Sequence, residues 1–172
     1  MGQGWSEFFE RTYNFGGPLA LLLLHRPGTS LGQWFEGIRS VPLLTRERAI
    51  AFAWTFRVVI AGYLIGHGGY GAIVGKANLL GQYASIGLTS LVANPETLNV
   101  TIGWFEIALG GFVLIWAPTW LAVFVFGWKL ATELLYPISG APGGTFEFLE
   151  RGCSYAVPLA LICVRSIASR GK

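Results

Sequence analysis

"VTIGWFEIALGGFVLIWAPTWLAVFVFGWKLATELLY", residues 100–136, holds two apolar runs, 100–117 and 119–136, back to back around Pro118. Each reaches about 27 Å as a helix at about 1.5 Å per residue, close to the hydrocarbon thickness of a bilayer. Proline has no N–H to carry one helix into the next, so Pro118 reads as a tight turn between two spans. A third run, "AIAFAWTFRVVIAGYLIG" at 49–66, has the same length and can continue through "HGGYGAIVG". The fourth, about 152–168, is shorter and interrupted by Pro158.

The composition points the same way. Hydrophobic residues make up 53% of the chain and charged residues 12%, with a mean hydropathy of +0.54. A soluble domain carries about 25% charged residues, so this chain has too few to cover a surface in water. The predicted fold is all-α: an integral membrane four-helix bundle with an additional N-terminal helix, membrane-embedded or interfacial. Residues 1–45 form an apolar N-terminal segment and a basic loop, and 46–172 form the transmembrane helical domain. The net charge of +3 is dispersed in loops beside apolar runs. The bilayer is therefore an expected partner and nucleic acid is not.

Lys and Arg set the expected orientation. Loop 25–48 carries Arg26, Arg39, Arg46 and Arg48, and the tail carries Arg165, Arg170 and Lys172. Segments 76–97 and 137–151 carry only Lys76 and Arg151. Four spans beginning after residue 48 place both basic regions on one side, the cytoplasm, so a bacterial cytoplasmic membrane and a cytoplasmic C-terminus are expected. Segment 76–97 reads as a short interfacial helix. The tryptophans fall mostly near span ends, as an aromatic belt requires. The acidic opening "MGQGWSEFFER" does not read as a secretory signal.

The two ends of the chain repeat one another. "FFERTYNFGGPLALLLL" at 8–24 and "FLERGCSYAVPLALICV" at 148–164 align at an offset of 140. The shared positions include Glu10 and Arg11 with Pro18, and Glu150 and Arg151 with Pro158. Each Glu–Arg pair is expected at a membrane boundary, its arginine reaching lipid phosphate or a helix C-terminus. Each proline opens a backbone carbonyl to a neighbour. An anchoring element used twice and a shared assembly surface both fit. If the first copy crosses as the second does, it ends at His25 and Arg26 on the cytoplasmic side. Its roughly ten strongly apolar residues are short for a crossing.

Four ionisable groups fall inside apolar runs: Arg57, Glu106, Lys129 and Glu133. Such groups normally face one another or a cavity. Lys129 and Glu133 are one helical turn apart and can pair locally, and Arg57 can reach Glu106 between helices given tilt. A neutral buried network that fixes packing fits these residues, and so does a polar cavity for a ligand headgroup, a quinone or protons. His67 opens "HGGYG" at the end of the first span. Haem or chlorophyll ligation by His67 is disfavoured, because the only other histidine, His25, lies at the opposite side. A hydrogen-bonding role at the helix end or contact with a ligand fits better. Gly62 with Gly66, and Gly71 with Gly75, have the spacing of close helix contact. Cys153 and Cys163, ten residues apart on one helix, are beyond disulfide reach and read as small core residues. No phosphate loop, zinc-protease motif or hydrolase elbow occurs, and no metal site can be assembled.

From 46 to 165 the chain resembles the DoxX-like family of small membrane proteins. The resemblance lies in Arg57 followed by "IGHGGYG", in "GWFEIALGGFVLI" (103–115), and in "GWKLATELLYPISGAP" leading to "FLERGCSYAVPLAL". The N-terminal 45 residues fall outside it. It implies a four-helix membrane fold and, in some members, association with membrane redox systems, including a quinone-linked oxidoreductase. The expected function is an accessory or assembly subunit of a larger membrane complex, respiratory or photosynthetic, with a membrane-protein partner or a homo-oligomer. The alternative is a quinone-binding subunit of an oxidoreductase. By the resemblance Arg57, His67, Glu106 and Lys129 are the positions to test first.

Overall fold

The computed structural model of the protein describes residues 4–25, 30, 32, 45–75 and 77–170. No strand occurs among them. The elements are α1 (Gly4–Glu10), α2 (Thr12–His25), α3 (Arg46–Gly69) and α4 (Ala77–Ser85), followed by α5 (Pro95–Ile115), α6 (Thr119–Ile138), α7 (Gly144–Glu150) and α8 (Gly152–Arg170). A π-helical turn, Tyr70–Val74, prolongs α3, and a 3-10 turn, Leu88–Leu91, follows α4. Among the described residues, three helices are long and apolar enough to cross a membrane: Arg46–Val74, α5 and α6. The expected Arg26, Arg39, Lys76 and Lys172 topology signals, and Trp34, lie outside the described residues.

Local chemistry sets the ends of these helices. Thr45 starts α3 by accepting a hydrogen bond from the Arg48 N–H. Asn94 starts α5 by accepting one from Glu96 N–H at 2.9 Å, with Pro95 at the first helical position, where its missing N–H has no cost. Gly75, at φ 69°, ends the prolonged α3 in the left-handed region that a side chain would resist. It meets no neighbour, so the Gly71–Gly75 spacing is half packing and half helix stop. Pro118 heads α6, as the sequence predicts.

Side-chain contacts give the helix directions. His67 meets Glu106 near one end of the bundle, and Arg57 meets Val113 near the other, so α3 and α5 are antiparallel. Lys129 of α6 meets Glu106. Arg165 of α8 donates to the Ala117 carbonyl between α5 and α6, while Arg151 lies over Tyr136 at the far end of α6. Thus α8 runs antiparallel to α6, packed against α3 and α6 through Val157, Leu161 and Val164.

The N-terminal copy docks on α3, and Gly62 and Gly66 make this possible. A Cβ on Gly66 would stand 2.6 Å from the Phe9 carbonyl carbon, and one on Gly62 would stand 2.9 Å from the Thr12 methyl. Thr12 Oγ1 donates to the Val59 carbonyl at 3.1 Å. Consequently α2 runs antiparallel to α3, the same direction as α8. At 14 residues α2 spans about 21 Å.

The outer surface is apolar. Ile115 is 81% exposed, and Trp104, Trp116 and Trp120 are all more than half exposed. Phe112, Trp116 and Trp120 continue edge to face along the α5–α6 turn, at 5.7 and 5.8 Å. Such a surface suits lipid rather than water. Cys153 is half-buried against the core, whereas Cys163 is exposed, which corrects the expectation that it too is a core residue: Cys163 lies on the outward side of α8.

Candidate functional site

Four ionisable side chains from α3, α5 and α6 form one buried chain. His67 Nδ1 lies 2.5 Å from Glu106 Oε2. Glu106 Oε1 accepts from Trp128 Nε1 at 2.9 Å and stands 3.4 Å from Lys129 Nζ. Lys129 Nζ is 3.5 Å from Glu133 Oε1, the one-turn pair expected from the sequence. Tyr63 OH donates to the same Glu133 oxygen at 2.5 Å, and its ring lies 4.5 Å beneath the ammonium. Lys129, Glu106 and Glu133 are each at most 1% exposed. Charges so deeply buried persist only when paired.

Glycine lets the helices come close enough for these bonds. Gly103 packs on Gly68, where a Cβ would stand 2.5 Å from the Gly68 carbonyl oxygen. That approach, within a turn of both His67 and Glu106, brings imidazole and carboxylate into direct contact.

His67 is also a wall of a cavity of about 610 Å³ at this end of the bundle. Polar lining comes from Glu10, Gln82, Tyr136, Glu147 and Arg151, and α4 closes one side through Leu79 and Gly81. Arg151 also lines the cavity. It bonds Glu10 at 3.1 Å and Glu147 at 3.3 Å, and its guanidinium lies 4.8 Å over the Tyr136 ring. Burial pulls this guanidinium down, but the groups around it, Tyr136 and Glu10 first among them, outweigh that and raise it above its ordinary value. Arg151 therefore stays charged.

The sequence repeat is a repeat of structure. In each copy a short helix breaks at the arginine, and a second, proline-containing helix follows. Arg11 N–H donates to the Glu7 carbonyl at 3.1 Å, and Arg151 N–H to the Glu147 carbonyl at 3.1 Å. Phe8 meets Phe15 at 5.8 Å, and Phe148 meets Tyr155 at 5.3 Å. Each arginine pairs with the glutamate four residues before it, not with its sequence neighbour, which corrects the expected Glu10–Arg11 and Glu150–Arg151 pairs. The geometric reason is that adjacent residues point away from each other on a helix. The two copies meet through Glu10 and Arg151. Arg11 and Glu150 remain exposed. Pro158 is buried, whereas Pro18 is on an exposed stretch of α2.

Arg57 does not join the charged chain. It donates to the carbonyls of Val113 at 3.1 Å and Leu114 at 2.5 Å and lies 3.9 Å over the Trp54 ring. Those carbonyls belong to the last turn of α5 and have no intrahelical partner, so a cation there completes the helix end. This corrects the expected Arg57–Glu106 contact: the antiparallel helices put Arg57 at the opposite end. Trp128, Tyr63 and the Glu10–Arg151 bridge are not among the site residues the sequence singles out. A tryptophan beside an intramembrane lysine was a signal for the first.

Among the described residues no group of three or more His, Cys, Asp or Glu converges as a metal site would. Comparison with protein-family models, curated proteins and solved structures returns no match for this chain.

Proposed function

We propose that the chain is a small multi-pass membrane subunit that holds the headgroup of a quinone in the 610 Å³ cavity and handles its protons through His67. The observation that carries this is the position of His67, a wall of the cavity and the first member of the buried chain. Quinone carbonyls accept hydrogen bonds, and Arg151, Gln82 and Tyr136 offer donors around the same space. A histidine can give or take a proton near neutral pH without help from a metal. Electrons would come from a partner protein, which makes the chain an accessory subunit of a larger redox complex. The DoxX-like motifs support the same reading through their residues alone. We place the cavity on the outer face of a bacterial cytoplasmic membrane, with α8 as a fourth span. Arg46, Arg48 and Arg165 gather at the other end of the helices, which supports a cytoplasmic C-terminus.

The test is organic extraction of protein purified in mild detergent, followed by chromatography for quinone. Bound quinone is expected in the wild type and in Arg57→Met, and is lost in His67→Ala. Wild-type protein without quinone that fails to bind a short-chain benzoquinone sinks the reading. A second reading, an assembly subunit with no ligand of its own, is favoured by the exposed aromatic rows on α5 and α6. A stable co-purifying polypeptide with an empty cavity would select it.

A further inference from the structure

Glu133 has one carboxylate oxygen with two neighbours and another with none. Oε1 accepts from Tyr63 and faces Lys129, while Oε2 is buried without a hydrogen-bond partner. An ionised carboxylate with a bare oxygen in a buried, low-dielectric setting is costly, and a carboxyl there normally takes up a proton.

Charge counting leads to the same place. The buried chain contains two acids, Glu106 and Glu133, one lysine, Lys129, and His67. With both acids ionised and His67 neutral, the chain would carry one uncompensated negative charge. Arg151 cannot supply the missing charge, because Glu10 and Glu147 already hold it. Neutrality therefore needs one more proton than Lys129 provides, either on His67 or on Glu133. Glu106 accepts from Trp128, faces Lys129 and has His67 against its other oxygen, so it is the better solvated anion.

We propose that Glu133 is a proton-binding site that carries this extra proton on Oε2 at rest. In that state His67 is neutral and donates Nδ1–H to the Glu106 carboxylate. In the alternative state the Glu133 O–H is broken and an N–H is formed on His67, which becomes an imidazolium. Lys129 and Glu106 carry the same charge in both. The groups that face Glu133 from neighbouring elements are Tyr63 on α3, Tyr13 on α2, Arg151 ahead of α8 and Tyr155 on α8. None of them supplies a hydrogen bond to Oε2. This site stands whether or not a quinone fills the cavity.

The chain contains no aspartate, and all nine of its acidic side chains are glutamates, so infrared spectroscopy can read the site in the intact protein. Quinone-free protein in detergent at neutral pH should show one protonated-carboxyl C=O band. Glu133→Gln should remove it. Tyr63→Phe should keep the band but shift its frequency, because Tyr63 bonds this carboxyl and no other. On transfer to D2O the band should shift as O–H becomes O–D. That exchange should slow about a hundredfold in His67→Gln, within the range that a positioned acid–base group supplies. A wild-type protein with no such band overturns the proposal even if the variants fail to fold. A band that ignores Tyr63→Phe places the proton elsewhere and also overturns it. Exchange unchanged in His67→Gln overturns the role of His67 as its outlet.

Discussion

Lys129 is the residue on which the buried chain turns, because it alone is a cation at every protonation state described above. Removing it in Lys129→Met leaves the Glu106 carboxylate without its neutralising partner. Breaking a buried pair from one side costs about 3–5 kcal/mol, and thermal denaturation in detergent should show a loss of that order. Glu106→Gln added to Lys129→Met removes the stranded charge, so the double variant should be more stable than Lys129→Met alone. A double variant no more stable than the single one would show that the two groups are not energetically coupled. The sequence made this cluster partly legible. Four ionisable residues in apolar runs demand partners, and the Lys129–Glu133 spacing names one pair. Nothing in spacing reveals which helix faces which, so the sequence offers Glu106 to Arg57, whose partners are instead the carbonyls at the end of α5. Only the antiparallel register of α3 and α5 separates the helix-capping arginine from the buried glutamate.

At the scale of elements, the contact of α1 and α2 with α3 rests on missing side chains. Gly66 lies against the backbone of Phe9 and Glu10, and backbone cannot move aside as a flexible side chain can. Gly66→Val should release α1 and α2 while leaving the helices from 46 onward inserted. Limited proteolysis checks this, since cleavage within the first 25 residues should become fast and cleavage elsewhere should not change. The same docking buries Tyr13, whose ring meets Tyr63 edge to face at 4.9 Å. Burial, the largest influence on the Tyr13 phenol, raises it well above its ordinary value. A raised folded-state value means that this phenol's contribution to stability is present below its unfolded value, about 10, and lost as pH rises above it. Stability should fall with alkalinity beyond that point, and Tyr13→Phe should show a shallower fall in a pH series of denaturation midpoints. The glycine pair Gly62 and Gly66 was visible in the sequence. In a chain with 24 glycines, its partner was not.

For the whole molecule, the repeated ends explain one another through the Glu10–Arg151 bridge. The offset of 140 between the copies was legible in the sequence, and so was their common direction once His25 and Arg26 were set beside Arg165. What could not be read is that one copy completes the surroundings of the other. That depends on α2 and α8 both lying against α3, a matter of packing that leaves no mark in spacing. The arrangement is asymmetric: Arg151 crosses to Glu10, while Arg11 stays on the surface with Glu7. The N-terminal copy therefore contributes to the cavity, not merely to anchorage. Removal of residues 1–25 tests this directly. The three helices fit to span a membrane all begin at or after Arg46, so the truncated chain should still insert and extract with detergent as the full chain does. On the proposed quinone-binding reading it should lose quinone, because Glu10 leaves the cavity wall and Arg151 loses a partner held at 3.1 Å. Glu10→Gln in the full chain should weaken quinone binding less than the truncation, since α1 and α2 still close the wall. Equal quinone content in the full and truncated proteins would make the N-terminal copy an anchor and nothing more.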